Sequence, residues 1–332
     1  MNWTHKYISI LFLLLLSCNS SQKANTEISN NDKKIIRHNN IVIVPDLSNR
    51  IDDSLYPRQL KDSDIINVTV SLFPDLIKSY NRLSMQKDKI SLKLLNPLDV
   101  PNFNELEPNV TIDLGAFGTK QFERIDFINN KKDISLKKSI DSFLKTSKTI
   151  YDTAKTKGYT ADLWGFFNQT LDEYYFTLTN PINSPKAKDT SRNILILLTD
   201  GYIEINTQSK QSCPEKKCRL LNYYQIEKFR DELNKDNNQS NAKAFFSKSG
   251  YGIVPVQNEN LKDVEVLMLE VYDRSKSESG RVTKHPSDFE ILQLFWSDFF
   301  EKSGVKRYKI VEAVSSEAAI KTVIEKFINE ES

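Results

Sequence analysis

Two unbroken apolar runs, far apart in the chain, each stop on an aspartate. Ile41-Val42-Ile43-Val44-Pro45 leads into Asp46-Leu47-Ser48-Asn49-Arg50, and Ile194-Leu195-Ile196-Leu197-Leu198 leads into Thr199-Asp200-Gly201. Runs of this kind predict central strands of a parallel sheet, covered on both faces. Further strands are predicted over 89–95, 110–116, 264–271 and 307–312, the second as a hairpin partner of the first. Helical spacing predicts a helix over 64–82 that Pro74 kinks or breaks, and a long one over 121–157 with Leu136, Ile140, Phe143, Ser147, Ile150 and Ala154 along one face. Others are expected over 162–178, 222–234 and 316–329. Ser287 and Glu290 have the spacing of a capping box that opens a further helix, and Gly304 suits its end. Strands alternating with helices, with no internal repeat, predict a doubly wound α/β fold with a mostly parallel sheet. Phe166-Phe167 and Phe299-Phe300 are read as core.

In such sheets ligands sit outside the carboxyl ends of the strands. Asp46, Ser48 and Asp200 would meet at that edge and offer hard oxygen ligands to a divalent cation. Each also has a plain structural role available, the aspartates as helix caps and the serine as a turn hydroxyl. Asp52 and Asp53 are expected in a solvated loop, and His285, beside Pro286, at the surface.

Composition narrows the chemistry. The chain has 332 residues, 39% hydrophobic and 27% charged, enough for a sizeable core. A formal net charge of +2 gives no strong global field pointing to nucleic acid or to anionic lipid. Three histidines and three cysteines leave little for a zinc site or a Cys-His nucleophile, whereas Asp, Ser and Thr suit magnesium, manganese or calcium.

The N-terminus reads as an address. Lys6 precedes an apolar stretch from Tyr7 to Leu16, too short to span a bilayer comfortably and shaped as a secretory core. Leu15-Leu16-Ser17-Cys18 resembles the lipobox of bacterial lipoproteins, in which the cysteine becomes the lipid-bearing N-terminus. Residues 1–17 are then the signal peptide, and 18–39, rich in Asn, Ser and Lys, a tether of disordered composition. A plain signal peptide or an uncleaved anchor is the alternative. In an oxidising compartment Cys213 and Cys218 are expected to close a small disulfide loop. Asn19, which is no retention aspartate, leans toward an outer membrane.

Residues 40–330 resemble a von Willebrand factor type A domain, a Rossmann-like fold. Asp46-Leu47-Ser48-Asn49-Arg50 stands where that family has Asp-x-Ser-x-Ser, Gly158-Tyr159-Thr160 where it has Gly-Gly-Thr, and Thr199-Asp200-Gly201 where its fourth strand ends. The resemblance implies a metal-ion-dependent adhesion site. Ser48 and Thr160 would touch the cation, magnesium first, and Asp46 and Asp200 would act directly or through water. Arg50 departs from the pattern. A guanidinium cannot ligate a cation, and at about 5 Å from a divalent ion, with an effective dielectric near 20, it would be repelled by roughly 6–7 kcal/mol before the aspartates offset it. Either Arg50 points away, or its charge replaces the metal in an ion pair with Asp46 or Asp200.

The leading expectation is a lipid-anchored envelope protein that binds a protein or other macromolecule through loops near 46–58, 158–163, 201–221 and 273–286. The alternative is a metal-free envelope scaffold with a degenerate site. An enzyme is not expected. A haloacid-dehalogenase-like phosphohydrolase would need Asp-x-Asp after the first strand, where Ser48 stands, and neither a Gly-rich phosphate loop nor a Gly-x-Ser-x-Gly elbow occurs.

Overall fold

The computed structural model describes residues 34–52, 58–79, 82, 84–155, 161–172, 175–176, 183–184, 187–204, 213, 215–236 and 241–330. In chain order the strands are β1 (Lys34–Pro45), β2 (Lys89–Leu92), β3 (Thr111–Asp113), β4 (Asn183–Ser184), β5 (Ala187–Leu198), β6 (Lys217–Cys218), β7 (Gly252–Ile253), β8 (Val264–Val271) and β9 (Arg307–Glu312). The helices are α1 (Asp62–Leu76), α2 (Phe103–Leu106), α3 (Gln121–Ile128), α4 (Leu136–Lys155), α5 (Leu163–Gly165), α6 (Tyr223–Asn234), α7 (Ala242–Ser249), α8 (Asp288–Lys302) and α9 (Glu317–Asn329). Among the described residues no helix is long and apolar enough to cross a membrane.

The main sheet runs β3-β2-β1-β5-β8-β9, with β4 folded back on β5. β2, β1, β5, β8 and β9 are parallel and β3 is antiparallel on β2. This is the expected doubly wound α/β sheet. Alternate residues of the central strands feed two cores. Ile41, Ile43, Ile194, Ile196 and Leu198 pack with α1, α4 and α9, while Val42, Val44, Leu195 and Leu197 face the aromatic helix α8. Both faces are dry, which is why these strands read as continuous apolar runs.

β8 breaks its own alternation. Val264, Val266 and Met268 face the α8 side and Leu267 and Leu269 the α1 side, yet Val271 returns to the α8 side. The register slips by one residue between Met268 and Val271 against β9, and Glu270 adopts φ 70°. A bulge inserts one extra residue and changes the face on which the next side chains emerge. Here it turns a glutamate toward the α1 side of the sheet.

Several expectations are adjusted. β1 starts at Lys34, so the last residues of the expected tether are strand, with His38 and Asn39 buried. The 64–82 helix ends at Leu76, two residues after Pro74. The 121–157 helix is two helices, interrupted where Asn129 and Asn130 turn the chain and Asn130 Oδ1 accepts the Lys137 N–H. The 162–178 helix stops at Thr170 after a wide turn, although Phe166 and Phe167 are buried as expected. β8, β9 and the capping box of Ser287 and Glu290 stand where the sequence puts them. Cys213 and Cys218 are disulfide-bonded, with Cα atoms 5.9 Å apart.

Candidate functional site

Strand order reverses between β1 and β5. From β1 the chain runs outward through β2 and β3, then crosses back to build β5, β8 and β9 on the other side. Such a switch point leaves a crevice at the carboxyl edge, where open α/β sheets bind ligands. Pro45 and Leu198 are paired in register, and the Asp46 N–H donates to Leu198 O at 2.8 Å. Asp46, Ser48 and Asp200 therefore converge on that crevice, as the sequence predicts. Thr160 lies outside the described residues, as do Asp53 and Cys18. Asp52 and His285 are exposed.

The two aspartates are already engaged. The Ser48 N–H donates to Asp46 Oδ1 at 2.9 Å, and the Thr199 hydroxyl to Oδ2 at 2.8 Å. Asp200 accepts the Tyr202 N–H at 3.1 Å and Arg274 Nη2 at 3.0 Å. Arg274 also bonds Glu204 and stacks its guanidinium 3.7 Å over the Tyr202 ring. The Tyr202 hydroxyl donates to Asp288, which also pairs with Arg230.

Arg50 does not point away. It is 2% exposed and lies in the crevice, its Nη2 donating to Asp62 Oδ2 at 2.6 Å and to Leu198 O at 2.7 Å, and its Nε 3.8 Å from Asp46 Oδ2. Of the two pairings expected for it, the one with Asp46 is present, while Asp200 is held by Arg274. Burial disfavours its charge, but Asp62 and then Asp46 outweigh that and hold it above the ordinary arginine value. Burial raises the Asp46 carboxyl, Arg50 opposes this, and Asp200 adds to it. The Asp62 carboxyl is lowered despite its burial, because Arg50, Arg58 and the Tyr151 hydroxyl all favour its charge. The divergence between the two carboxylates follows the distances: Asp62 is the close counter-ion of Arg50 and Asp46 the distant one.

Four groups in this cluster were not singled out from the sequence. Arg58 Nη1 donates to Asp62 Oδ1 at 2.7 Å, and the Tyr151 hydroxyl to Asp62 Oδ2 at 2.8 Å. Glu270 lies with Oε2 3.9 Å from Arg58. Asp62 itself had a legible signal: it shares a helical face with Ile65, Ile66, Thr69, Leu72 and Phe73, all buried. A carboxylate on an apolar stripe must find a counter-charge. Glu270 had no such signal, since only the bulge turns it inward.

Glu270 is 2% exposed, and among the described residues no side chain donates a hydrogen bond to its carboxylate. Burial raises its carboxyl to about 7, Asp62 adds to the rise, and Arg50, Arg58 and the Val314 amide oppose it. A carboxyl raised in the fold contributes stability that is full below its ordinary pKa of 4.5 and is lost as pH rises through about 7. Glu270→Gln is expected to abolish this loss, so that between pH 5 and 8.5 the variant gains about 2–3 kcal/mol on the native protein. Urea unfolding at both pH values measures it, and parallel pH profiles for the two proteins would contradict it.

The turn after β5 is braced from behind. Gly201 has φ 89°, and a Cβ there would sit 3.1 Å from Val271. Its carbonyl accepts the Trp296 indole N–H at 2.8 Å, and its own N–H donates to the Thr199 hydroxyl. Beside the β1 loop a cleft of about 290 Å³ is lined by Ser48, Asn49, Asp52 and Lys155. A second of about 380 Å³ between α1 and α4 is lined by Lys61, Lys148 and the buried Tyr151. Among the described residues no group of three or more His, Cys, Asp or Glu is placed to hold a metal ion.

No protein-family model matches the chain, and no curated protein matches its sequence. Among solved structures it is similar to an aerotolerance-related membrane protein of Bacteroides fragilis carrying multiple mutations to serines, at 11% identity and TM-score 0.37, covering 89% of this chain and 100% of that one. It is also similar to the pilus adhesin SpaC of Lactobacillus rhamnosus GG, at 12% identity and TM-score 0.37, covering 90% of this chain and 31% of the adhesin. A third likeness is to proximal thread matrix protein 1 of the mussel byssus, at 9% identity and TM-score 0.29, covering 90% of this chain and 48% of that one. Likenesses of this size fix neither family nor function.

Proposed function

We propose that the chain is a lipid-anchored bacterial envelope protein whose type A-like domain binds a macromolecular partner at the carboxyl edge of its sheet, with Arg50 supplying the positive charge that a divalent cation would otherwise bring. The observation that carries this reading is the placement of the Arg50 guanidinium in the β1/β5 crevice, within reach of Asp46, Asp62 and Leu198 O.

Magnesium wants six oxygens in near-octahedral order and gives up water reluctantly. The residues present do not fit it as they stand. One Asp46 oxygen takes an amide and the other a hydroxyl, Asp200 is claimed by Arg274, and the fixed Arg50 cation already stands between Asp46 and Asp62. A guanidinium gives the same charge balance without an exchangeable ion, so partner binding would be insensitive to chelators. The competing reading, a working magnesium, manganese or calcium site, requires Arg50 to leave the crevice and abandon its bonds to Asp62 and Leu198.

Photo-crosslinking in cells tests the function. A crosslinker placed at the exposed Asn49 is expected to capture one discrete partner band, unchanged by EDTA. A band that EDTA removes would restore the cation site. Absence of any band at Asn49 and at Glu204 would remove the edge as a binding surface. The anchor is tested separately, by the mass of the mature N-terminal peptide, which should begin at an acylated Cys18.

A further inference from the structure

The opposite edge of the sheet carries a feature that the crevice does not explain. Phe122, on α3, is 85% exposed, and Ile134, in the turn between α3 and α4, is 79% exposed. A single exposed apolar side chain is ordinary; two this open, on one short helix and the turn after it, with a basic surround, mark the surface. Along the chain Lys120, Lys131, Lys132, Lys137 and Lys138 flank the two, with Glu123, Asp126 and Asp133 among them, and Lys131, Lys132, Glu123 and Asp133 line one shallow hollow with Ile134. The acids engage Lys120, Lys131, Lys132 and Lys138 only at 3.6–3.9 Å, on exposed side chains apart from the half-buried Asp126. The surface is therefore basic with apolar tips.

The topology places this surface. β3 runs antiparallel to β2, so Asp113 pairs with Lys89, the first residue of β2, and the Leu114 N–H donates to Asp88 O. Arg124 of α3 donates to Leu114 O and Gly118 O, and Gln121 Oε1 accepts the Met85 N–H. α3 thus sits at the amino end of the sheet. α4 starts there and runs to the carboxyl edge, where Tyr151 meets Asp62. β1 also begins at the amino end, with Lys34. Fifteen residues separate Lys34 from Cys18, a span of at most about 50 Å.

We propose that the α3–α4 turn is a membrane-docking face: Phe122 and Ile134 enter the headgroup layer of an anionic phospholipid bilayer while the surrounding lysines contact its phosphates. The occupant follows from charge and from the chain. Apolar tips in a lysine-rich setting suit an anionic interface, and the short connection from a lipidated Cys18 reaches the same end of the fold. Docking there turns the Asp46–Asp200 crevice away from the bilayer, toward whatever the domain binds. The proposal rests on the lipid-anchor reading for the nearness of the bilayer, and on the exposed residues for the contact itself.

The test uses the full chain carrying Phe122→Trp, purified from membranes and reconstituted into phosphatidylglycerol vesicles with brominated acyl chains. The emission added by the new indole is expected to shift to the blue and to be quenched. Lys131→Gln with Lys132→Gln should weaken this contact about 30-fold. Emission from the new indole that stays water-like and unquenched would overturn the proposal, as would quenching equal in phosphatidylcholine or protection that grows with protein concentration in the absence of lipid. The Cys18 peptide mass is read on the same sample. Quenching with an unacylated Cys18 would remove the anchor and keep the docking face, and an acylated Cys18 without quenching would do the reverse.

Discussion

Arg50→Ala is expected to destabilise the fold by about 3–5 kcal/mol at neutral pH. The substitution leaves Asp46 and Asp62, 1% and 2% exposed, with their shared counter-charge gone. It also strips Leu198 O of a charged donor at the point where β1 and β5 meet. Arg58 and Tyr151 still hold Asp62, which keeps the loss from being larger, but Asp46 retains only an amide and a hydroxyl. The pH dependence separates this cause from simple loss of packing. In the native protein the lowered Asp62 carboxyl contributes stability that is present above its ordinary pKa of 3.8 and is lost as pH falls through its folded value. Without Arg50 that contribution shrinks, so the gap between native and variant should narrow toward acid. Guanidinium or urea midpoints at neutral and acid pH measure it. A loss below about 1 kcal/mol at neutral pH, or a gap that does not narrow, would show that Arg50 does not neutralise the crevice.

Trp296→Ala is expected to cost a similar amount, about 3–5 kcal/mol, for a different reason. Trp296 is fully buried and packs against Phe167, Phe299 and Phe300 at ring-centroid distances of 5.3–6.1 Å. Its removal opens a cavity in the α8 core that rigid aromatic neighbours cannot collapse into. It also leaves the Gly201 carbonyl without its indole donor. Trp296→Phe isolates that second part: most of the packing stays, and an unpaired buried carbonyl should cost about 1–3 kcal/mol. The loss should reach the crevice, because the Thr199-Asp200-Gly201 turn is held from behind by this indole. Equal stabilities for Trp296→Phe and the native protein would mean that the turn is set by β5 alone.

The sheet was legible because its strands carry their own signatures. The dry faces of β1, β5 and β8 produce apolar runs, and those runs stop where the strands leave the core, so the positions of Asp46 and Asp200 followed directly. Helix ends were less legible. Pro74 could kink or stop α1, and only packing decides which. Asn129-Asn130 lies inside a pattern that keeps helical spacing on both sides of it. The crevice was half legible. Arg50 could be recognised as foreign to a cation site, and its pairing with Asp46 was one of two open options, but Asp62, Arg58, Tyr151 and Glu270 come from α1, the loop before it, α4 and a bulge in β8. Their meeting is a tertiary fact. Of these only Asp62 advertised itself, by standing on the buried face of its helix. The Glu270 bulge depends on a positive φ at a non-glycine residue, which no local pattern announces.

Whether Arg50 stands in for a cation is decided most directly by calorimetric titration of magnesium, manganese and calcium into the native protein, beside Arg50→Ser and Asp200→Ala. No saturable heat is expected from the native protein with any of the three ions, because the Arg50 guanidinium already holds the crevice. Saturable binding to the native protein that Asp200→Ala abolishes would contradict this and make the crevice a divalent-cation site.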